Sequence, residues 1–331
     1  MGGPLLLRIP NWLGDLVLAL PVVASAAARP DGVLLVGPEP YAPILTRRFP
    51  RAEYVPWTRS RRLGPLARLR AARPRAALLL TDSFSSALLA YLARIPERIG
   101  HDAEHRGVLL TRRVRRRSPA RTARRAEEYA ALASAAGIAV QDPVPRLTAV
   151  PEEVEAARRT LRPRLGEGTP YAVLAPGASY GPAKRWAPER FAKVAGALAG
   201  QHGLALVLVG SREDAAPAAE TEAAVRGRAV NLAGETDLTT LVGLLAGAAL
   251  VVSNDSGVMH LGAALARPTV GVFGSTSPVW TASDAPWVRN LYAAYPCSPC
   301  FRRTCPIGYG CLRSIEPEHA VRAAEELLAA R

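Results

Sequence analysis

The sequence predicts an α/β protein of two doubly wound halves, each built on a parallel sheet. Three observations predict it. Short apolar runs alternate with stretches of helical character, the pattern of strand–helix–strand units. The alternation occurs twice, on either side of a stretch at Gln141–Thr148 that contains Pro143 and Pro145 and reads as a linker. At 331 residues the chain is long for a single core, so two domains are expected. The boundary falls at 148/149, giving domains 1–148 and 149–331.

In order, Leu5–Ile9 is an apolar strand, followed by PNWLGD and an apolar helix from Leu16 to Ala28. Pro21 is expected to kink or shorten that helix. Gly32–Gly37 reads as a strand, Tyr41–Arg48 as a helix, Glu53–Trp57 as a strand and Leu63–Arg73 as a helix with a basic face. Ala76–Thr81 is a strand running into TDSFSS, and Ser86–Ala93 is a helix. Arg112–Arg125 holds eight arginines and reads as a solvated loop or helix edge. Glu127–Ala136 is a helix stopped by Gly137.

Past the linker, a helix at Pro151–Leu161 carries proline in its first turn. Strands follow at Ala172–Ala175, Ala205–Val209 and Ala229–Leu232, separated by helices at Pro188–Gly200 and Ala215–Val225. After a helix at Leu238–Ala246 come a strand at Leu250–Ser253, the turn NDSG, a helix at Val258–Ala266 that Pro268 ends, and a β-branched strand at Thr269–Phe273. The final helix, Ile315–Ala330, has charges on one face and is a candidate to pack back on the N-terminal domain.

Each strand of the second half is followed by glycine and polar residues. In a right-handed crossover sheet these loops share one edge. GASYGPAK, GSRED, GETD, NDSG and GSTSP therefore converge, at the edge where open α/β sheets bind ligands. The N–H groups at Gly257 and Val258 would suit a phosphate there. The plain alternative is a capped helix start with Asp255 or Ser256 as the cap.

Particular residues stand out against this frame. Asp15 follows Gly14 just after the first strand, where Gly14 lets a ligand approach the backbone and Asp15 can take a proton from a hydroxyl; otherwise it is an acid in favourable register with a helix dipole. Only Lys184 and Lys193 among 42 cationic residues are lysine. A lysine in the glycine-rich loop suggests a compact point charge for a diphosphate leaving group. Asp214 lies where an acid can hold a ribose hydroxyl pair, with Glu213 as its competitor. His260, one turn after Ser256, faces the crevice or simply packs. No G-x-G-x-x-G follows the first strand, which weakens a nicotinamide or flavin reading.

The formal net charge is +14, and it is unevenly placed. Residues 1–150 hold 24 arginines against 11 acids, a net +13, whereas residues 151–331 hold 18 basic and 17 acidic side chains, a net +1. A basic half implies an anionic partner. The longest uncharged run, Leu238–Asn254, is broken by Gly243 and Gly247 and divides into a helix and a strand rather than a membrane span. MGGPLLLRIPNWLGD lacks a basic n-region and a cleavage site, so a cytoplasmic location is expected. All four cysteines, Cys297, Cys300, Cys305 and Cys311, lie in CSPCFRRTCPIGYGC. Their spacing permits zinc or iron–sulfur ligation, but the second pair lacks a C-x-x-C knuckle, and reduced or loosely paired thiols are favoured over a structural zinc.

PNWLGD with LALP after it, PGASYGPAKRW, SNDSGVMHLGAAL, FGSTSP and CSPCFRRTCPIGYGCL together resemble glycosyltransferase family 9, in the expected order and over nearly the whole chain. The resemblance implies a GT-B fold, with two Rossmann-like domains facing across a cleft. It implies inverting transfer of heptose from ADP-heptose onto heptosyl-Kdo2-lipid A, with the acceptor on the N-terminal domain and the nucleotide sugar on the C-terminal one. Asp15 would then be the general base and Lys184 the diphosphate contact, with Ser179 and Tyr180 in the same loop. Asp214 would bind ribose, Thr236 would lie near adenine, and Asp255, Ser256, Gly257 and His260 would surround the diphosphate and sugar.

The phosphorylated glycolipid acceptor lies in an anionic leaflet, which fits the basic half. Reversible attachment to the inner face of the inner membrane is therefore expected, since MGGPLL lacks the Ser or Thr of a myristoylation signal. Positive protein groups would replace a divalent metal, so no obligatory cofactor is expected. The alternatives are a family member with another acceptor or donor, a nucleotide-sugar epimerase, and a nucleic-acid-binding protein using the arginine run. That run lacks interleaved aromatics, and no nucleic-acid partner is expected.

Overall fold

The computed structural model describes residues 3–58, 60–116, 121–225 and 229–330. The chain divides into two compact units, Met1–Pro145 and Arg146–Arg331, a few residues before the boundary expected from the linker.

The first unit holds a six-stranded sheet of β1 (Leu5–Arg8), β2 (Val33–Pro38), β3 (Ala52–Trp57), β4 (Ala76–Leu79), β5 (Glu97–His101) and β6 (Arg112–Val114). Their order is β3-β2-β1-β4-β5-β6, all neighbours parallel. β1 and β4 are buried at every position, as expected of central parallel strands covered by helices on both faces. The second unit repeats the plan with β7 (Tyr171–Ala175), β8 (Ala205–Leu208), β9 (Ala229–Asn231), β10 (Leu250–Asn254), β11 (Thr269–Phe273) and β12 (Val288–Tyr292), ordered β12-β11-β10-β7-β8-β9 and parallel throughout. In each sheet the order reverses between two central strands, β1 and β4 in one, β7 and β10 in the other. That reversal opens a crevice at the strands' C-terminal ends.

The structure revises several expectations. Pro21 does not end its helix, which runs unbroken from Leu13 to Ala27. Leu16–Leu20, Val22, Val23 and Ala26 of it are buried, and that packing offsets the roughly 3 kcal/mol cost of an interior proline. β5, β6 and β12 were not legible as strands: ERIGH, RRV and VRNLY mix charge with apolar residues, as suits strands at or next to a sheet edge. The final helix, Pro317–Ala329, contributes to the second unit. Ala320, Ala324 and Leu327 join the core of the second unit with Phe191, Val194 and Leu206. The helices Pro151–Leu165 and Leu238–Gly247 pack so closely that a Cβ on Gly243 would lie 1.8 Å from the Glu153 carbonyl oxygen. No helix among the described residues is long and apolar enough to cross a membrane.

Candidate functional site

In the second unit, the parallel order puts all five polar loops at one edge of the sheet. Contacts between them are specific. Asn254, at the end of β10, donates from Nδ2 to the Pro176 carbonyl at 2.7 Å and accepts on Oδ1 from the Trp186 backbone N–H at 3.0 Å, tying the loops after β7 and β10 together. Ser275 N–H donates to the Ala183 carbonyl at 3.2 Å, bringing in the loop after β11, and Gly234 N–H donates to the Gly210 carbonyl at 2.9 Å, joining the loops after β9 and β8.

Lys184 and Asp255 meet at the reversal point. Lys184 Nζ lies 2.5 Å from Asp255 Oδ2 and 4.9 Å from the centre of the Tyr180 ring. The same carboxylate accepts from Thr276 Oγ1 at 2.5 Å, and His260 Nε2 is 3.6 Å from its Oδ1. Burial alone would raise the Asp255 carboxyl; Lys184, then His260, outweigh burial and hold it well below the usual carboxylate range. Asp255 is therefore an anion that orients three side chains, those of Lys184, Thr276 and His260. It does not cap the helix Gly257–Ala264. Ser256 occupies the cap position without a side-chain cap bond, its Oγ pairing instead with Ser253 Oγ at 3.0 Å. Ser256 is thus the N-cap by position only, and Asp255 is not the cap. Ser179 is exposed and Tyr180 and Gly257 half-buried at the same edge.

Asp214 is buried and locally engaged, with Oδ2 accepting from the Ser211 backbone N–H at 3.1 Å and from Ser211 Oγ at 2.8 Å. Its Oδ1 is buried without a hydrogen-bond partner, the Arg185 guanidinium lying 3.9 Å away. The glycine at 177 makes room for it, since a Cβ there would lie 2.2 Å from the Asp214 Cγ. Glu213 is exposed. Thr236 lies half-buried after β9, at the far end of the row of loops.

In the first unit, Gly14 and Asp15 occupy the first turn of the helix Leu13–Ala27, directly after β1. Asp15 Oδ1 accepts from Tyr129 Oη at 3.1 Å and lies 3.5 Å from Arg125 Nε. Asp82, after β4, flanks the reversal point from the other side. Its carboxylate faces Arg106 at 3.7 Å and Arg125 at 3.9 Å and binds Arg116 directly. Glu128 pairs with Arg116 and Arg125, each at 3.2 Å. The arginine run is therefore solvated only in part: Arg112, Arg113, Arg115 and Arg121 are exposed, but the run also supplies β6 and the first residue of a helix, and Arg116 and Arg125 are drawn in by acids of the unit; Arg117 lies outside the described residues. Asp82, Arg125 and Tyr129 were missed as site residues. One signal was present, because Arg125, Glu128 and Tyr129 have the i, i+3, i+4 spacing of one helix face.

The four cysteines carry free thiols, and the Cys305 thiol is pulled down by backbone N–H groups of Ile307 and Tyr309. Among the described residues, no set of three or more His, Cys, Asp or Glu is arranged to hold a metal ion. Their segment braces the Lys184 loop: Ala183 N–H donates to the Arg303 carbonyl at 3.0 Å, and Arg303 Nε donates to the Tyr180 carbonyl at 2.7 Å.

Known proteins share this plan. The chain is 34% identical over 294 residues to lipopolysaccharide heptosyltransferase 2 of Salmonella typhimurium, covering 82% of this chain and 83% of that one. It is 35% identical over 293 residues to the Escherichia coli protein of the same name, with 82% and 83% covered. The solved structure of E. coli ADP-heptose LPS heptosyltransferase II superposes with a TM-score of 0.81 at 29% identity, over 99% of each chain, so the architecture is the GT-B fold of the heptosyltransferases. The model of glycosyltransferase family 9 (heptosyltransferase) matches residues 65–309, from before β4 into the cysteine segment, and the chain belongs to that family.

Proposed function

We propose that the protein is an inverting glycosyltransferase that moves L-glycero-D-manno-heptose from ADP-heptose onto the heptosyl-Kdo2-lipid A inner core of lipopolysaccharide. The relatives' names support the donor and the pathway step. The observation that carries the reading is the pairing of Lys184 with Asp255 where the second sheet reverses its strand order.

An ammonium has three N–H donors. Asp255 takes one from Lys184, which leaves two for the diphosphate oxygens. The helix at Gly257 has no side-chain cap, so its first N–H groups add positive potential beside them. Together they stabilise the charge that grows on ADP as the glycosidic bond breaks. Because these groups supply the positive charge, the reaction is expected to run in EDTA. Ser179 and Tyr180 border the diphosphate. The unpartnered Asp214 Oδ1 would take a ribose hydroxyl proton, and Thr236 would approach adenine. His260 assists through Asp255.

On the acceptor side, Asp15 takes the proton of the attacking hydroxyl while that oxygen bonds to the anomeric carbon from the face opposite the phosphate, which inverts the configuration. Gly14 gives the sugar access to the backbone. The +13 balance of residues 1–150 supports a phosphorylated glycolipid in the inner leaflet as partner and reversible attachment to that surface. The full chain, incubated with ADP-heptose and heptosyl-Kdo2-lipid A, is expected to yield a product heavier by one heptose in mass spectrometry, together with ADP. Absence of both products would overturn the reading.

A further inference from the structure

We propose that Tyr129 and Arg125 are positioning residues that fix the Asp15 carboxylate for its reaction, holding one oxygen so that the other takes the proton. The proposal rests on Asp15 being the base.

Tyr129 is fully buried, at 1% exposure, on the helix Arg125–Ala135, which packs along the helix that carries Asp15. A buried phenol needs a partner for its hydroxyl, and Tyr129 Oη donates to Asp15 Oδ1 at 3.1 Å. Arg125 approaches the same oxygen, Nε at 3.5 Å, and its guanidinium lies 4.5 Å from the centre of the Tyr129 ring. The guanidinium is itself anchored: Nη1 donates to the buried Glu128 carboxylate at 3.2 Å, and Nη2 lies 3.9 Å from Asp82. Burial works against the Arg125 charge, but Tyr129, Asp15 and Asp82 outweigh burial and keep its pKa above the ordinary arginine value.

Both contacts thus fall on Oδ1. A carboxylate held at one oxygen by a hydrogen bond and an adjacent guanidinium charge has a restricted plane and offers Oδ2 to an incoming hydroxyl. Asp15 is 27% exposed, so a substrate can reach it. A helix-dipole acid needs neither a buried tyrosine nor an anchored arginine. The groups that face Asp15 are Tyr129 and Arg125 from one helix, Asp82 through Arg125, and Tyr41, whose own hydroxyl is occupied by the Asn11 carbonyl at 2.8 Å and whose ionisation is opposed first by burial and then by Asp15.

Tyr129→Phe removes one oxygen and no volume. In the full chain, kcat is expected to fall about tenfold, the loss of one hydrogen bond to a charged group. KM for ADP-heptose and ADP affinity should not change. Arg125→Lys, which keeps the charge but loses the planar fork, should likewise lower kcat with KM for ADP-heptose unchanged. In an Asp15→Asn background, Tyr129→Phe should add nothing further. An unchanged kcat in Tyr129→Phe overturns the proposal. So does a fall in kcat that comes with weaker ADP binding, or one that is as large in the Asp15→Asn background, which marks a role in folding alone. If Asp15→Asn keeps full turnover, it is the assignment of the base that fails.

Discussion

Lys184 and Asp255, 71 residues apart in sequence, form a 2.5 Å ion pair at the point where the second sheet turns from one strand direction of growth to the other. The pair is nearly dry: the side chains are 12% and 2% exposed. A buried ion pair carries a large desolvation cost, and losing one partner leaves the other charge uncompensated. Asp255→Ala is therefore expected to lower the unfolding free energy by about 3–5 kcal/mol, measured by urea denaturation at neutral pH. A change below about 0.5 kcal/mol, the range of ordinary surface substitutions, would show that the pair contributes nothing to folding.

The same carboxylate fixes a pH dependence. Burial raises its pKa, but Lys184 and His260 lower it more, so the folded value lies below the unfolded one. The stability it contributes is then complete above the unfolded carboxylate value near 4 and is lost as pH falls through the folded value. In the wild type this contribution should stay level from about pH 7 to 5 and decline below about pH 4. Asp255→Asn should remove that part of the acid-side decline, read from urea midpoints across the range.

Lys184→Met tests the leaving-group role. It removes the point charge and is expected to cost about 10²–10³ in kcat, the usual effect of deleting one preorganised donor at developing charge. ADP affinity, followed by calorimetry, should also weaken. Lys184→Arg should restore little, because a planar fork does not replace a compact ammonium wedged between Asp255 and the Tyr180 ring. Equal turnover in Lys184→Met and wild type would remove Lys184 from the chemistry.

The legible and illegible parts of this protein divide along a physical line. Strand–helix alternation and the glycine–polar loops are local signals, and they located five loops of the second sheet and the residues on them. Asp255 shows the limit. As a string, NDSG reads as a helix cap, and only the fold brings Lys184, Thr276 and His260 to its oxygens. The first unit was harder. Eight arginines in fourteen positions look like a solvated surface, yet Arg125 is 8% exposed, met by Glu128 on its own helix and by Asp15 and Asp82 from two distant places. Apart from the i, i+3 spacing to Glu128, nothing local marks which arginine of the run will be neutralised. β6 was hidden in the same run, since RRV at a sheet edge needs no apolar face.

The charge asymmetry yields the last prediction. The net +13 of residues 1–150 makes electrostatic attachment to an anionic membrane surface the expectation to test. Each basic residue near an anionic leaflet contributes about 1 kcal/mol, within a Debye length that shrinks from roughly 30 Å at 0.01 M salt to about 3 Å at 1 M. The arginines paired with Asp82, Glu53, Asp31 and Glu128 contribute less, since their charge is already met within the unit. The full chain should co-sediment with phosphatidylglycerol-containing vesicles at about 0.02 M salt and be released by about 0.5 M. Vesicles of pure phosphatidylcholine should retain little at either concentration. Binding that survives high salt, or that is equal on neutral vesicles, would mean that the basic half does not hold the protein at the leaflet.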